Sequence, residues 1–148
     1  MKQHRIPLSK DQLRCWVKQM AEQHTKGAII IDPSSDKFPI IYCNDAFIKM
    51  TGYANEEIIG QSLHFINGKK TNKDVSCRLQ ETLLRKEPFQ LKLIQYKKDG
   101  TAFWNELTCH PMKDTNNDVQ FLLIYCENTT TNALNRMISK LELEVYEQ

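Results

Sequence analysis

The sequence predicts an α+β domain in which an antiparallel sheet carries its helices on one face. Three observations lead there. Apolar runs of strand length come in two groups, two near the start of the chain and three near its end. The later three are separated by tight polar turns of the hairpin kind. The strand–helix–strand alternation that builds a parallel sheet is absent, so five antiparallel strands with intervening short helices are expected.

The elements follow in order. Ser9 to Glu22 reads as a helix, because Ser9 and Gln12 form a capping box in which each side chain serves a backbone donor of the first turn. Leu13, Trp16, Val17, Met20 and Ala21 then share one helical face, which has to be buried on its own sheet or on a second copy. Gly27–Asp32 is a β-branched run of strand length. Pro33-Ser34-Ser35-Asp36 interrupts it, and Pro39–Cys43 resumes as a second strand. Asn44 is placed to cap a short helix over Asp45–Met50, closed by Thr51-Gly52-Tyr53. Another turn of helix starts at Asn55 and ends at Gly60. Asn67-Gly68 signals a tight turn. A longer helix opens at Asn72 or Asp74 and runs to Arg85, with Val75, Leu79, Leu83 and Leu84 as its inner face.

Three strands complete the sheet. Phe89–Tyr96 is followed by the turn Lys98-Asp99-Gly100. In Thr101–Pro111, Phe103, Asn105, Leu107 and Cys109 alternate with Trp104, Glu106 and Thr108. The polar loop Asp114–Asp118 leads into Val119–Cys126. A last helix follows Thr129–Thr131, with Leu134, Met137, Ile138, Leu141 and Val145 at coiled-coil spacing.

Composition narrows the function classes. A chain of 148 residues suits one core. Its 20 basic and 18 acidic residues are spread along the chain, and Lys69-Lys70 is the nearest thing to a basic patch, so no nucleic-acid partner is expected. No apolar run approaches the roughly 18 residues that a membrane span needs. Five widely spaced cysteines, Cys15, Cys43, Cys77, Cys109 and Cys126, make neither a disulfide framework nor a zinc site. Reduced thiols in a cytoplasmic protein are the expectation. No nucleophile–base–orienter set and no glycine-rich phosphate loop stands out, so an enzyme is not expected.

Gly27-Ala28-Ile29-Ile30-Ile31-Asp32-Pro33, Pro39–Phe47, Met50-Thr51-Gly52-Tyr53 and Glu56-Glu57-Ile58-Ile59-Gly60 resemble the first half of a bacterial light-oxygen-voltage (LOV) domain of the PAS family. The run Tyr96–Leu107 resembles its second half, and the likeness covers Gly27 to Thr129. It implies the PAS fold as residues 27–129, with an amphipathic cap helix within residues 1–26 and a linker helix within 130–148. It also implies a flavin mononucleotide site in which a cysteine thiol attacks the excited ring.

That family cysteine lies in a Gly-x-Asn-Cys-Arg-Phe-Leu-Gln run. Here the run reads Gly60-Gln61-Ser62-Leu63-His64-Phe65-Ile66-Asn67. Leu63 takes the thiol position and carries no nucleophile. His64 matches the phosphate-pairing arginine and Asn67 the closing glutamine. Gln95 and Asn105 match the two asparagines that read the ring edge, and Tyr125 matches the glutamine of the last strand.

Two cofactor readings stay open: flavin held by Leu63, His64, Asn67, Gln95, Asn105 and Tyr125, or no flavin at all. Tyr125, Trp104 and Tyr96 are either electron donors to a flavin or ordinary strand aromatics. Haem and metal are not expected, since Asn72–Arg85 holds no histidine and His110 lacks a partner at ligand spacing. The functional expectation is a regulatory sensor and dimerisation domain that lacks the cysteinyl–flavin adduct. Homodimers and an effector are expected to engage the terminal helices through Leu13, Trp16, Val17, Met20, Leu134, Met137, Ile138 and Leu141. The alternatives are a cysteine-independent flavin sensor and a ligand-free interaction scaffold.

Overall fold

The computed structural model describes residues 9–130. The expected linker helix, with Leu134, Met137, Ile138 and Leu141, lies outside them. Five antiparallel strands form one sheet in the order β2-β1-β5-β4-β3. They are β1 (Gly27–Ile31), β2 (Ile40–Cys43), β3 (Phe89–Tyr96), β4 (Ala102–Lys113) and β5 (Val119–Asn128). The first and last strands of the chain are thus neighbours at the centre. β1 is buried at every residue, which explains its unbroken apolar run.

One face carries α2 (Asp45–Thr51), α3 (Asn55–Ile58), a 3-10 turn (Leu63–Ile66) and α4 (Lys73–Arg85). The main core lies beneath them. Ile29, Ile31, Leu93, Phe103, Leu107, Leu122, Ile124 and Cys126 of the sheet pack there against Phe47, Ile58, Leu63, Ile66, Leu79 and Leu83. The opposite face carries α1 (Lys10–Gln23), whose Leu13, Val17 and Ala21 close on Ala28, Ile30, Phe121 and Leu123. Strand alternation serves both cores, because neighbouring residues point to opposite faces.

The amphipathic stripe of α1 is therefore taken up by its own sheet. Trp16 is left 49% exposed and Met20 half-buried. The Ser9 capping box forms with both reciprocal hydrogen bonds. α2 stops at Gly52, whose φ of 79° lies in the left-handed region that glycine enters without steric cost.

Two local readings need correction. Leu84 is 58% exposed, while Leu79 and Leu83 are buried. One residue advances a helix by about 100°, which carries Leu84 off the inner stripe. The tight turn spans Gly68–Thr71, just after Asn67-Gly68, and follows the unforeseen 3-10 turn. Gly68 lies so close to the Tyr96 ring that a Cβ there would overlap it, and the Tyr96 hydroxyl accepts from the Lys70 amide.

Candidate functional site

Five of the six residues singled out in the sequence meet in one hydrogen-bonded chain between the sheet and α4. Its inner end is on adjacent strands, where Gln95 of β3 and Asn105 of β4 are both fully buried. Asn105 Nδ2 donates to Gln95 Oε1 at 2.7 Å. Gln95 Nε2 donates to the backbone carbonyl of Leu63 at 3.2 Å and to Asn67 Oδ1 at 3.0 Å. Asn67 Nδ2 donates to Ser76 Oγ at 3.1 Å and faces His64 Nδ1 at 3.3 Å. His64 Nδ1 lies 3.2 Å from Ser76 Oγ, and its Nε2 lies 3.0 Å from Gln80 Oε1.

The chain has a fixed direction. A carbonyl oxygen only accepts, so Leu63 holds the amide nitrogen of Gln95 toward itself. Gln95 Oε1 then faces Asn105, and Asn67 turns its own nitrogen toward the imidazole. His64 Nδ1 must accept there, which places the ring proton on Nε2, opposite Gln80 Oε1. One atom is left over. Asn105 Oδ1 is buried and has no partner among the described residues. Such a vacancy costs about 1–3 kcal/mol in a core, and unfilled acceptors are rare enough to mark a place where something else donates.

Leu63 opens the 3-10 turn with its side chain in the main core, 1% exposed. It contributes hydrocarbon and a carbonyl, and no nucleophile. Tyr125 does not belong to the group. Leu122, Ile124 and Cys126 of β5 face the main core, whereas Tyr125 points to the α1 face. Its ring stacks on His24 at 4.1 Å and meets His110 edge-on at 5.5 Å. A slip of one position moves a strand residue to the other face of its sheet. The β5 side chain beside the Asn105 amide is Cys126.

The buried thiols are poorly suited to nucleophilic work. Burial pushes Cys126 up to about 12, although the Asn105 amide pulls the other way. Burial alone takes Cys109 to about 12. Burial, with Asp45 and Glu56 nearby, takes Cys43 to about 11. All three remain protonated at neutral pH. Cys15 on α1 and Cys77 on α4 are exposed.

Three participants escaped sequence reading. Ser76 and Gln80 lie four residues apart along one side of α4, beside the stripe of Val75, Leu79 and Leu83, and the apolar period of the helix does not mark them. Strand alternation could have marked Cys126. A concavity of about 610 Å³ opens near the end of α1 and is lined by Glu22, His24, Tyr42, Asn44, Asp45 and Lys49. Asn44 there is already fully engaged, accepting from the amides of Ala28 and Phe47 and donating to the carbonyls of Ala21 and Lys26. No cluster of histidine, cysteine and acidic residues suited to a metal occurs among the described residues, and no described helix is long and apolar enough to cross a membrane.

Comparison with known proteins identifies the fold and the family. Residues 26–131 match the PAS domain family. A blue-light photoreceptor of Listeria monocytogenes is 35% identical over 119 residues, which is 80% of this chain and 47% of that protein. A blue-light-activated histidine kinase of Brucella ovis is 32% identical over 78% of this chain and 23% of its own length. The chain thus spans less than half of these curated relatives. Among solved structures, the PAS domain of the fruit-fly ELK potassium channel aligns with a TM-score of 0.75 at 25% identity, covering 79% of this chain and 97% of its own. The LOV domain of a blue-light-activated histidine kinase from Erythrobacter litoralis aligns at 0.68 with 29% identity, covering 73% of this chain and 99% of its own.

Proposed function

The chain belongs to the PAS domain family, and on that premise we propose that it is a sensory module of the LOV type that works without a cysteinyl–flavin bond. The observation that carries this reading is Leu63. Its place in the 3-10 turn, side chain in the core and carbonyl bonded to Gln95, is the place that the sequence likeness assigns to the reactive thiol. A hydrocarbon side chain offers no electron pair to an excited ring. None of the five cysteines, Cys15, Cys43, Cys77, Cys109 and Cys126, stands at that position. Signalling then depends on a ligand that binds two conformations of the domain with different affinity.

A flavin as that ligand is the reading favoured by the unfilled acceptor at Asn105 Oδ1. The donor set suits the polar edge of such a ring: Asn105 and Gln95 would hold the edge, and Leu63, Ile66, Leu93 and Phe103 would supply apolar walls. A bound flavin supplies blue-light absorption and redox chemistry. The protein's own part is to orient the ring edge, keep water away from it and couple it through Asn67 and His64 to α4. Output is assigned to the flanking segments. Residues 1–26 and 130–148 would mediate pairing with a second copy and contact with an effector, in the cytoplasm.

The test is optical. Unmodified protein supplied with riboflavin or flavin mononucleotide is expected to keep its blue absorbance under illumination. Leu63→Cys is expected to bleach and recover in the dark. A covalent thioether formed by the unmodified protein would overturn the reading.

A further inference from the structure

We propose that this pocket selects the phosphate-free form of its ligand: a neutral planar heterocycle that donates a ring N–H to Asn105 Oδ1. The inference rests on the flavin-type reading of the pocket and sharpens it. The two ends of the hydrogen-bonded chain make different demands. At the inner end the Leu63 carbonyl fixes the orientation of Gln95, which fixes that of Asn105, so the open group is an acceptor and not a donor. A ligand seated there has to bring a hydrogen, as the N–H of an imide or lactam ring does.

The outer end is half-buried, and this is where a ligand's tail would emerge. His64, Asn67, Ser76 and Gln80 line it, and they are bonded to one another. Both imidazole nitrogens are committed, Nε2 to Gln80 and Nδ1 to Asn67 and Ser76. No carboxylate, ammonium or guanidinium takes part in this group among the described residues. The charged side chains of α4, Lys73, Asp74, Arg78, Glu81 and Arg85, are exposed and of both signs. A phosphate dianion is held well by charge-assisted, bidentate donors that replace its lost water, and guanidinium is the side chain that supplies them. Here a phosphate would be dehydrated beside groups that are already paired with one another and include no guanidinium or ammonium. A hydroxyl-terminated chain meets no such penalty.

The experiment titrates flavin-free protein with riboflavin and, separately, with flavin mononucleotide in one buffer, reading the quenching of flavin fluorescence. Riboflavin is expected to bind at least tenfold more tightly. Gln80→Arg and, independently, His64→Arg are each expected to narrow or invert that ratio by supplying a cation at the outer end. Either variant that folds suffices. Flavin mononucleotide binding as tightly as riboflavin to the unmodified protein overturns the selectivity and leaves the flavin reading standing. Binding of neither compound removes the flavin reading itself, and the selectivity falls with it.

Discussion

Two buried asparagines show how differently the two sides of the sheet are used. Asn44, at the junction of α1, β1 and α2, fills all four of its hydrogen-bonding positions with backbone groups. Asn105, on the opposite side, donates one hydrogen bond to Gln95, and its oxygen has no partner among the described residues. Both are at most 4% exposed, so the difference lies in their partners and not in their burial. A buried amide kept for structure satisfies its neighbours and is satisfied by them. A buried amide that keeps a vacancy weakens the fold unless a partner arrives, and such local violations concentrate at functional sites.

The largest expected effect comes from breaking the satisfied side. Asn44→Ala removes the cap of α2 and strands the amides of Ala28 and Phe47 and the carbonyl of Lys26, while the Ala21 carbonyl keeps the His24 amide. A lost cap costs about 1 kcal/mol and each unsatisfied buried group about 1–3 kcal/mol, so a destabilisation of roughly 3 kcal/mol or more is expected. Urea denaturation followed by circular dichroism would measure it. A loss below about 1 kcal/mol would mean that water replaces the amide there, and the contrast with Asn105 would weaken.

Asn105→Leu should behave in the opposite way. It removes the unpartnered oxygen but leaves Gln95 Oε1 without its donor, so one unfilled acceptor replaces another and the net loss should be about the one hydrogen bond, about 1 kcal/mol. Flavin uptake should nevertheless be lost, because the acceptor has gone. Paired urea and fluorescence titrations separate the two effects. A variant that keeps its affinity for riboflavin would show that Asn105 is merely a core residue.

The sequence made the satisfied side legible and the vacant side only partly so, for a physical reason. Caps and strand periods are local: Ser9 with Gln12, Asn44 before Phe47, and the ends of β3 can be read over three to eight neighbouring residues. The amide chain is not local. Its bonds cross from β3 to β4, and from the 3-10 turn to α4 between His64 and Gln80. Likeness to a known family brought Leu63, His64, Asn67, Gln95 and Asn105 together without showing who bonds to whom. On β5 it chose Tyr125 where the sheet presents Cys126, because matching by likeness does not enforce the two-residue period of a strand. Leu84 failed similarly, an apolar residue one position off a helical stripe.

The smallest effect lies on the Asn44 side. Asp32, just after β1, accepts from the amide and the hydroxyl of Ser34 at 3.0 and 2.6 Å. The Ser34 hydroxyl is the main reason its carboxyl titrates below the ordinary range, with Lys10 and Arg14 of α1 adding attraction. A carboxyl held below its unfolded value stabilises the fold above that value, and the contribution disappears as pH falls through the lower, folded one. Asp32→Asn keeps an acceptor for Ser34 but loses the charge facing α1, so at neutral pH it should cost less than about 1 kcal/mol. As pH falls through and below the ordinary carboxylate range the urea midpoints of the two proteins should converge, since the native carboxyl then becomes neutral as well. A gap that persists in acid would assign the effect to the altered hydrogen bonds rather than to charge. Glu57 and Asp99 are also held below the ordinary range, by Lys98 and by Thr101, but both proteins keep them, so the convergence isolates the charge that faces α1.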